Sequence, residues 1–209
     1  MHTTLLALAV LLSANPQGPS GKPPSGPFEG RLVYTVESSA GGSARSTGQL
    51  KLTLSSQGLR LESTFNNNGR MMKNTTLVTG NPPVLKGWND QQKKFLPMQP
   101  PASQPKGAIK AELLGEDTQL GLKTVHVRIL DGAEAVEFWT APGLVSDVQM
   151  SWIFASSRVP TAVVDELKRL GAWGPVVRSK RDQVITQLEK VERASVDPAQ
   201  FTDAATPTR

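Results

Sequence analysis

An α+β fold built on an antiparallel sheet is predicted by three observations: apolar residues recur with a period of two from Phe28 onward, turn dipeptides separate the alternating runs, and helical spacing takes over after Ser157. Alternation at period two puts one face of each strand on a core and the other in water, and short turns make consecutive strands antiparallel. Setting aside the first fourteen residues leaves about 195, enough for one domain that buries most of its apolar surface.

Met1 to Ala14 reads as a secretory signal. Leu5 to Leu12 is an unbroken apolar run closed by the small residues Ser13 and Ala14, with only His2 and the terminal amine as positive groups before it. The run is about half of the roughly 20 residues a membrane-spanning helix needs, and no second one follows. An exported, soluble chain in the periplasm or outside the cell, with no transmembrane segment after signal removal, is the expectation. The chain has no cysteine, so it is not expected to be a lipoprotein and carries neither disulfides nor a cysteine nucleophile. Residues 15–27 form a Pro- and Gly-rich linker, 28–202 the domain, and 203–209, without a large apolar residue, a flexible tail.

Within the domain, Leu32, Tyr34 and Val36 share a face of the first strand. Leu50, Leu52 and Leu54 alternate with Lys51, Thr53 and Ser55; after Gly58, Leu59, Leu61 and Phe65 alternate with Arg60, Glu62 and Thr64, which makes a hairpin or one bent strand. Asn66-Asn67-Asn68-Gly69 is a turn, because Asn and Gly tolerate positive φ. A strand over 72–79 and a turn over 80–83 follow. Pro97, Pro100, Pro101 and Pro105 cannot donate to a ladder and mark a surface connection. Strands over 112–120 and 123–130 flank Gly121-Leu122, and Asp131-Gly132 turns the chain into 133–140. Pro160, the stripe Val163, Val164, Leu167 and Leu170, and a terminal Gly171 define an amphipathic helix. Residues 183–193 fit either state. Val184, Thr186 and Leu188 alternate, while Val184, Ile185, Leu188 and Val191 make a helical stripe, and the pattern alone leans to the helix.

The residues leave little room for catalysis. His126 is the one histidine beyond the signal, and its place between Val125 and Val127 turns it to the wetter face of its strand; a hydrolase using His126 is the minor alternative. One histidine without cysteine does not make a tight zinc site, the carboxylates lack the spacing of a calcium loop, and Gly41-Gly42-Ser43 lacks the lysine and helix start of a phosphate loop. No metal and no cofactor is expected. The net charge of +5 is dispersed, with Lys93-Lys94 and Arg178-Ser179-Lys180-Arg181 as the tight groups, both read as solvated turns, and no basic stripe interleaved with aromatics points to nucleic acid. Trp139 and Trp152 bracket the passage from sheet to helix and are candidates to line a ligand groove.

Phe28-Glu29-Gly30-Arg31-Leu32-Val33-Tyr34, Gly121-Leu122-Lys123-Thr124-Val125, Val136-Glu137-Phe138-Trp139-Thr140 before Gly143-Leu144, Gly174-Pro175-Val176-Val177 and Asp197-Pro198-Ala199-Gln200-Phe201 together resemble the domain of unknown function 4412 family of exported bacterial proteins. The likeness runs from about Phe28 to Phe201 and each motif is short. Such domains resemble the lipoprotein carriers LolA and LolB. That resemblance implies a strongly curved antiparallel sheet, an unclosed barrel, with one or two helices on its concave face, and it turns 183–193 towards a strand. It also implies a lipid or an acylated protein as partner, its apolar chain held between sheet and helix; no ligand residue carries over from the resemblance, and Trp139, Trp152, Phe138, Val163 and Leu167 are candidates by their places in the sequence. A structural or protein-interaction module of the cell envelope, with a solid core and an envelope protein as partner, is the alternative.

Overall fold

The computed structural model describes residues 27–38, 46–67, 70–99, 105–157 and 159–206. The expected signal over 1–14, the linker up to residue 26, Gly41-Gly42-Ser43 and Asn68-Gly69 lie outside the described residues. Eleven strands, β1 (Gly30–Ser38), β2 (Ser46–Leu54), β3 (Leu59–Asn67), β4 (Arg70–Thr79), β5 (Val84–Asn89), β6 (Lys94–Met98), β7 (Ile109–Gln119), β8 (Leu122–Asp131), β9 (Glu134–Thr140), β10 (Val176–Arg181) and β11 (Val184–Arg193), make one sheet. Helices α1 (Asp147–Ala155) and α2 (Thr161–Arg169) separate β9 from β10. The strand order is β6-β5-β4-β3-β2-β1-β11-β10-β9-β8-β7, and every pairing is antiparallel. The two end strands, β6 and β7, do not pair, so the sheet is not closed.

The alternation predicted for β1, β2 and β3 is present, and β2 and β3 are a hairpin rather than one bent strand. The β7–β8 hairpin turns through Leu120 (φ 53°) and Gly121 (φ 72°), the pair of positive φ values that a two-residue turn needs to follow strand twist. Gly171 (φ 67°) ends α2: its N–H donates to the Lys168 carbonyl and the Ala172 N–H to that of Leu167, so two last-turn carbonyls are satisfied.

One open choice is decided and three expectations are corrected. Residues 183–193, whose pattern alone leans to a helix and which the family resemblance turns towards a strand, form β11, because both of its edges are taken, by β1 and β10, and Leu188 is buried on the sheet's apolar face. Arg178-Ser179-Lys180-Arg181 is not a turn but most of β10; the turn comes at Asp182-Gln183. Lys93 is in a turn, whereas Lys94 begins β6, and Pro97 sits in that edge strand opposite Lys86, where a missing donor disturbs one ladder position at most. The tail expected to fray from 203 is docked as far as Thr206, while 207–209 lie outside the described residues.

The helices lie on one face of the sheet and show that it curls. α1 contacts β3 and β4, and α2 contacts β7. In a flat sheet β4 and β7 would stand eight strand spacings apart, about 38 Å at roughly 4.8 Å per strand. Yet Phe154 of α1 packs against both apolar clusters of the core, and only residues 156–160 join α1 to α2. The sheet bends round the helices, and the face that carries them is the concave one. The larger cluster joins Leu32, Leu54, Leu59, Val78 and Leu188 to Met150 and Trp152 of α1; the smaller joins Val127 and Ile129 to Val163 and Leu167 of α2.

α1 is moored by one amide. Gln149 is 1% exposed. Its Oε1 accepts from Phe28 N at 3.0 Å and Ser146 N at 3.1 Å, and its Nε2 donates to the carbonyls of Phe28 at 2.6 Å and Ser55 at 3.1 Å. Ser146 Oγ accepts from Gln149 N, completing a capping box whose glutamine also ties the helix to the entry of β1 and the exit of β2.

On the convex face the C-terminal segment crosses β3 to β5. Arg60, 3% exposed, donates to the carbonyls of Gln200 and Thr206 and to Glu62, while Lys86 Nζ reaches both oxygens of Asp203 at 2.7 and 2.8 Å. Lys51 pairs with Glu62 at 2.5 Å. Burial pushes the Glu62 carboxyl up, but Lys51 and Arg60 together outweigh it and hold it below its ordinary range.

Two outcomes follow. Gln149→Leu keeps the volume but strands the Phe28 and Ser146 N–H groups and two carbonyls, so it is expected to lower stability by about 2–4 kcal/mol, read as a lower urea midpoint at unchanged slope. Because the Glu62 carboxyl titrates lower when folded than unfolded, its contribution is present above the unfolded pKa and is lost as pH falls through the folded one. Glu62→Gln is therefore expected to cost about 1–2 kcal/mol near neutral pH and to flatten the decline in urea midpoint below about pH 4.5.

Candidate functional site

The helices do not cover the whole concave face. Pairing register carries a row of inward positions across the sheet from Met72 through Phe65, Gly48, Val36 and Thr186 to Ser179 and Phe138. Among the described residues Val36, Phe65 and Met72 belong to neither apolar cluster, and Met72 is 45% exposed. Alternation places these side chains on the apolar face, but helix packing stops one row earlier, at Leu50, Tyr34 and Leu188. The result is an open apolar strip beside a filled interior.

Two local features shape the strip. The Phe65 ring lies over Gly48, where a Cβ would come within 2.3 Å of Phe65 Cδ1, so the glycine is what allows the ring to lie flat on β2. Tyr34 stands in the neighbouring row, between Leu50 and Leu188. It is 5% exposed, and its hydroxyl has no hydrogen-bond partner among the described residues. Burial alone pushes the phenol well above its ordinary pKa, so it remains a neutral donor at the inner border of the strip.

The residues singled out from the sequence divide between the two faces. Val163 and Leu167 are buried in the α2 cluster and Phe138 packs against it half-buried. Trp152 is buried under α1, its ring N–H satisfied by the Gly80 carbonyl at 2.7 Å. Trp139 does not join them, which corrects its placement beside Phe138: consecutive strand residues point to opposite faces, and Trp139 is on the convex one. There it stacks on His126 with ring centroids 3.9 Å apart, and Arg178 lies over its ring at 5.2 Å. His126 Nε2 is 3.2 Å from Glu137, which also accepts from Arg128 at 2.9 Å. Arg128 comes first, with His126 beside it, in holding the Glu137 carboxyl below its ordinary range against the effect of burial. Among the described residues no hydroxyl bonds to His126, so the nucleophile–base contact of a hydrolase is not formed there. Phe65 and Val36 were legible as inward residues; their exposure was not, since it depends on where the helices end.

The family described as "Domain of unknown function (DUF4412)" matches residues 28–205. The chain belongs to that family. Among curated proteins none matches it. Among solved structures it is similar to a Vibrio parahaemolyticus domain assigned to outer membrane lipoprotein sorting, at 8% identity and a TM-score of 0.33, over 82% of this chain and 89% of that one. No helix among the described residues is long and apolar enough to cross a membrane.

Gly48→Ala is expected to displace the Phe65 ring at a cost of about 1–3 kcal/mol. In a double-mutant cycle with Phe65→Ala, urea midpoints should show that at least about 1 kcal/mol of this cost disappears once the ring is gone.

Proposed function

We propose that the protein is a non-catalytic binding module that lays an acyl chain along the open strip of its concave face. The observation that carries this reading is the group Val36, Phe65 and Met72, turned to the apolar side of the sheet, outside both core clusters and bordered by the Tyr34 phenol. An acyl chain suits such a surface because each methylene removed from water contributes about 0.8 kcal/mol, and the phenol can donate to an ester or carboxyl oxygen at the chain's head. Export through the Leu5–Leu12 segment would put the module among lipids and acylated proteins in the envelope.

The packed interior favours a second reading, a protein-interaction module. Leu32, Leu54, Met150 and Leu188 fill the larger cluster where a carrier with a deep cavity would be hollow. Titration with cis-parinaric acid, followed by its fluorescence, separates the two. The acyl-chain reading expects saturable one-to-one binding, weakened at least about tenfold by Val36→Asp and about two- to fivefold by Tyr34→Phe. Absence of saturable binding, or binding indifferent to Val36→Asp, would leave the interaction module as the function.

A further inference from the structure

We propose that the convex face carries a second binding site, for an oligosaccharide bearing carboxylates. A groove of about 990 Å³ opens there, at the upper end of the roughly 300–1,000 Å³ typical of small-ligand clefts. Its floor consists of outward positions of β2 to β4, where register aligns Gln49 with Thr64 and Lys73, and Lys51 with Glu62 and Thr75. Trp88 of β5 and the Asp90–Lys93 turn form one wall, and Thr206 of the docked tail lies at the edge.

The chemistry of this lining selects among ligands. Gln49, Thr64 and Thr75 each offer a donor and an acceptor, as sugar hydroxyls require. Trp88 supplies the apolar surface on which the C–H face of a pyranose ring packs; its indole is fixed by a bond from Nε1 to Asp90 Oδ1 at 3.1 Å and by the edge contact with Phe95. Glu62 lies in the floor as a carboxylate committed to Lys51 and Arg60, so those cations offset its charge within the groove. Lys73 makes no ion pair among the described residues, and Lys93 reaches only the exposed Asp90 at 3.4 Å. These two ammonium groups are available to carboxylates spaced along a sugar chain. A nucleic acid would call for a continuous basic stripe, which this mixture of signs does not provide.

The acyl-chain site is on the other face and shares none of these side chains, so the two can be tested separately. Isothermal titration with tetragalacturonate, with neutral maltotetraose and with a single-stranded thymidine octamer gives the decision. Expected is one-to-one binding of tetragalacturonate with a Kd below about 1 mM, weakened about tenfold by Trp88→Ala, less than about threefold by Trp88→Phe and about fivefold by Lys73→Gln. The proposal is overturned if tetragalacturonate does not bind at about 10 mM, if maltotetraose or the octamer binds as tightly, or if Trp88→Phe and Lys73→Gln both abolish binding or both leave it unchanged. Circular dichroism of each variant separates unfolding from loss of the site, and Lys73→Gln, an exposed change, keeps the test decisive should Trp88→Ala fail to fold.

Discussion

A primary amide in an apolar interior is costly unless each of its donors and acceptors is used, and Gln149 uses them on three separate stretches of chain. Its helix has apolar residues nearly all the way round and could roll on the sheet without much change in buried area. Hydrophobic burial therefore holds α1 down but does not orient it. The amide does, because its partners are backbone groups at Phe28 and Ser55 that have no alternative once the sheet is formed. With α1 in register, Trp152 reaches Gly80 and Phe154 bridges the two clusters. The limit of the covered area, and with it the open strip beyond Tyr34, follows from that docking.

The two faces of the sheet solve different problems with the same strands. The inward face is mostly apolar, with Ser63, Asn74, Thr76, Ser179 and Thr186 among its positions, and its chemistry lies in how much of it is left uncovered. The outward face is polar, and the docked tail holds buried Arg60 by backbone carbonyls while leaving Glu62 and Lys51 facing the groove. One face thus offers a surface for burial and the other a set of hydrogen-bonding groups around a fixed indole.

Most of the sheet was legible in the chain because alternation at period two is a direct image of a half-buried strand, as Leu50, Leu52 and Leu54 show. Legibility failed where the image is degenerate. β11 places Val184, Ile185, Leu188 and Val191 so that both periods fit, and only its two neighbours decide. α1 has no polar stripe, and its one local sign was the Ser146-to-Gln149 capping box. The tail's docking was invisible, since its anchors are a buried arginine and backbone carbonyls 140 or more residues apart. Of the candidate site, the inward direction of Tyr34, Val36 and Phe65 could be read from sequence. That the helices stop short of Val36 and Phe65 could not; Trp139, singled out because it stands near the passage from sheet to helix, lies on the convex face, opposite to Phe138.

The partnership of β1 with β11 has a kinetic meaning. The first strand of the domain is paired on one side by its immediate successor and on the other by the last strand, with bonded side chains 154 residues apart in sequence. A chain made from its N-terminus can zip β1 to β6 locally, yet β1 keeps a bare hydrogen-bonding edge until β11 has been synthesised. Closing so long a loop before its contacts are rewarded makes folding slow, and it gathers the cooperative step at the end of synthesis. The nascent protein therefore remains unfinished, and open to pairing with other chains along that edge, for nearly the whole time it takes to make it.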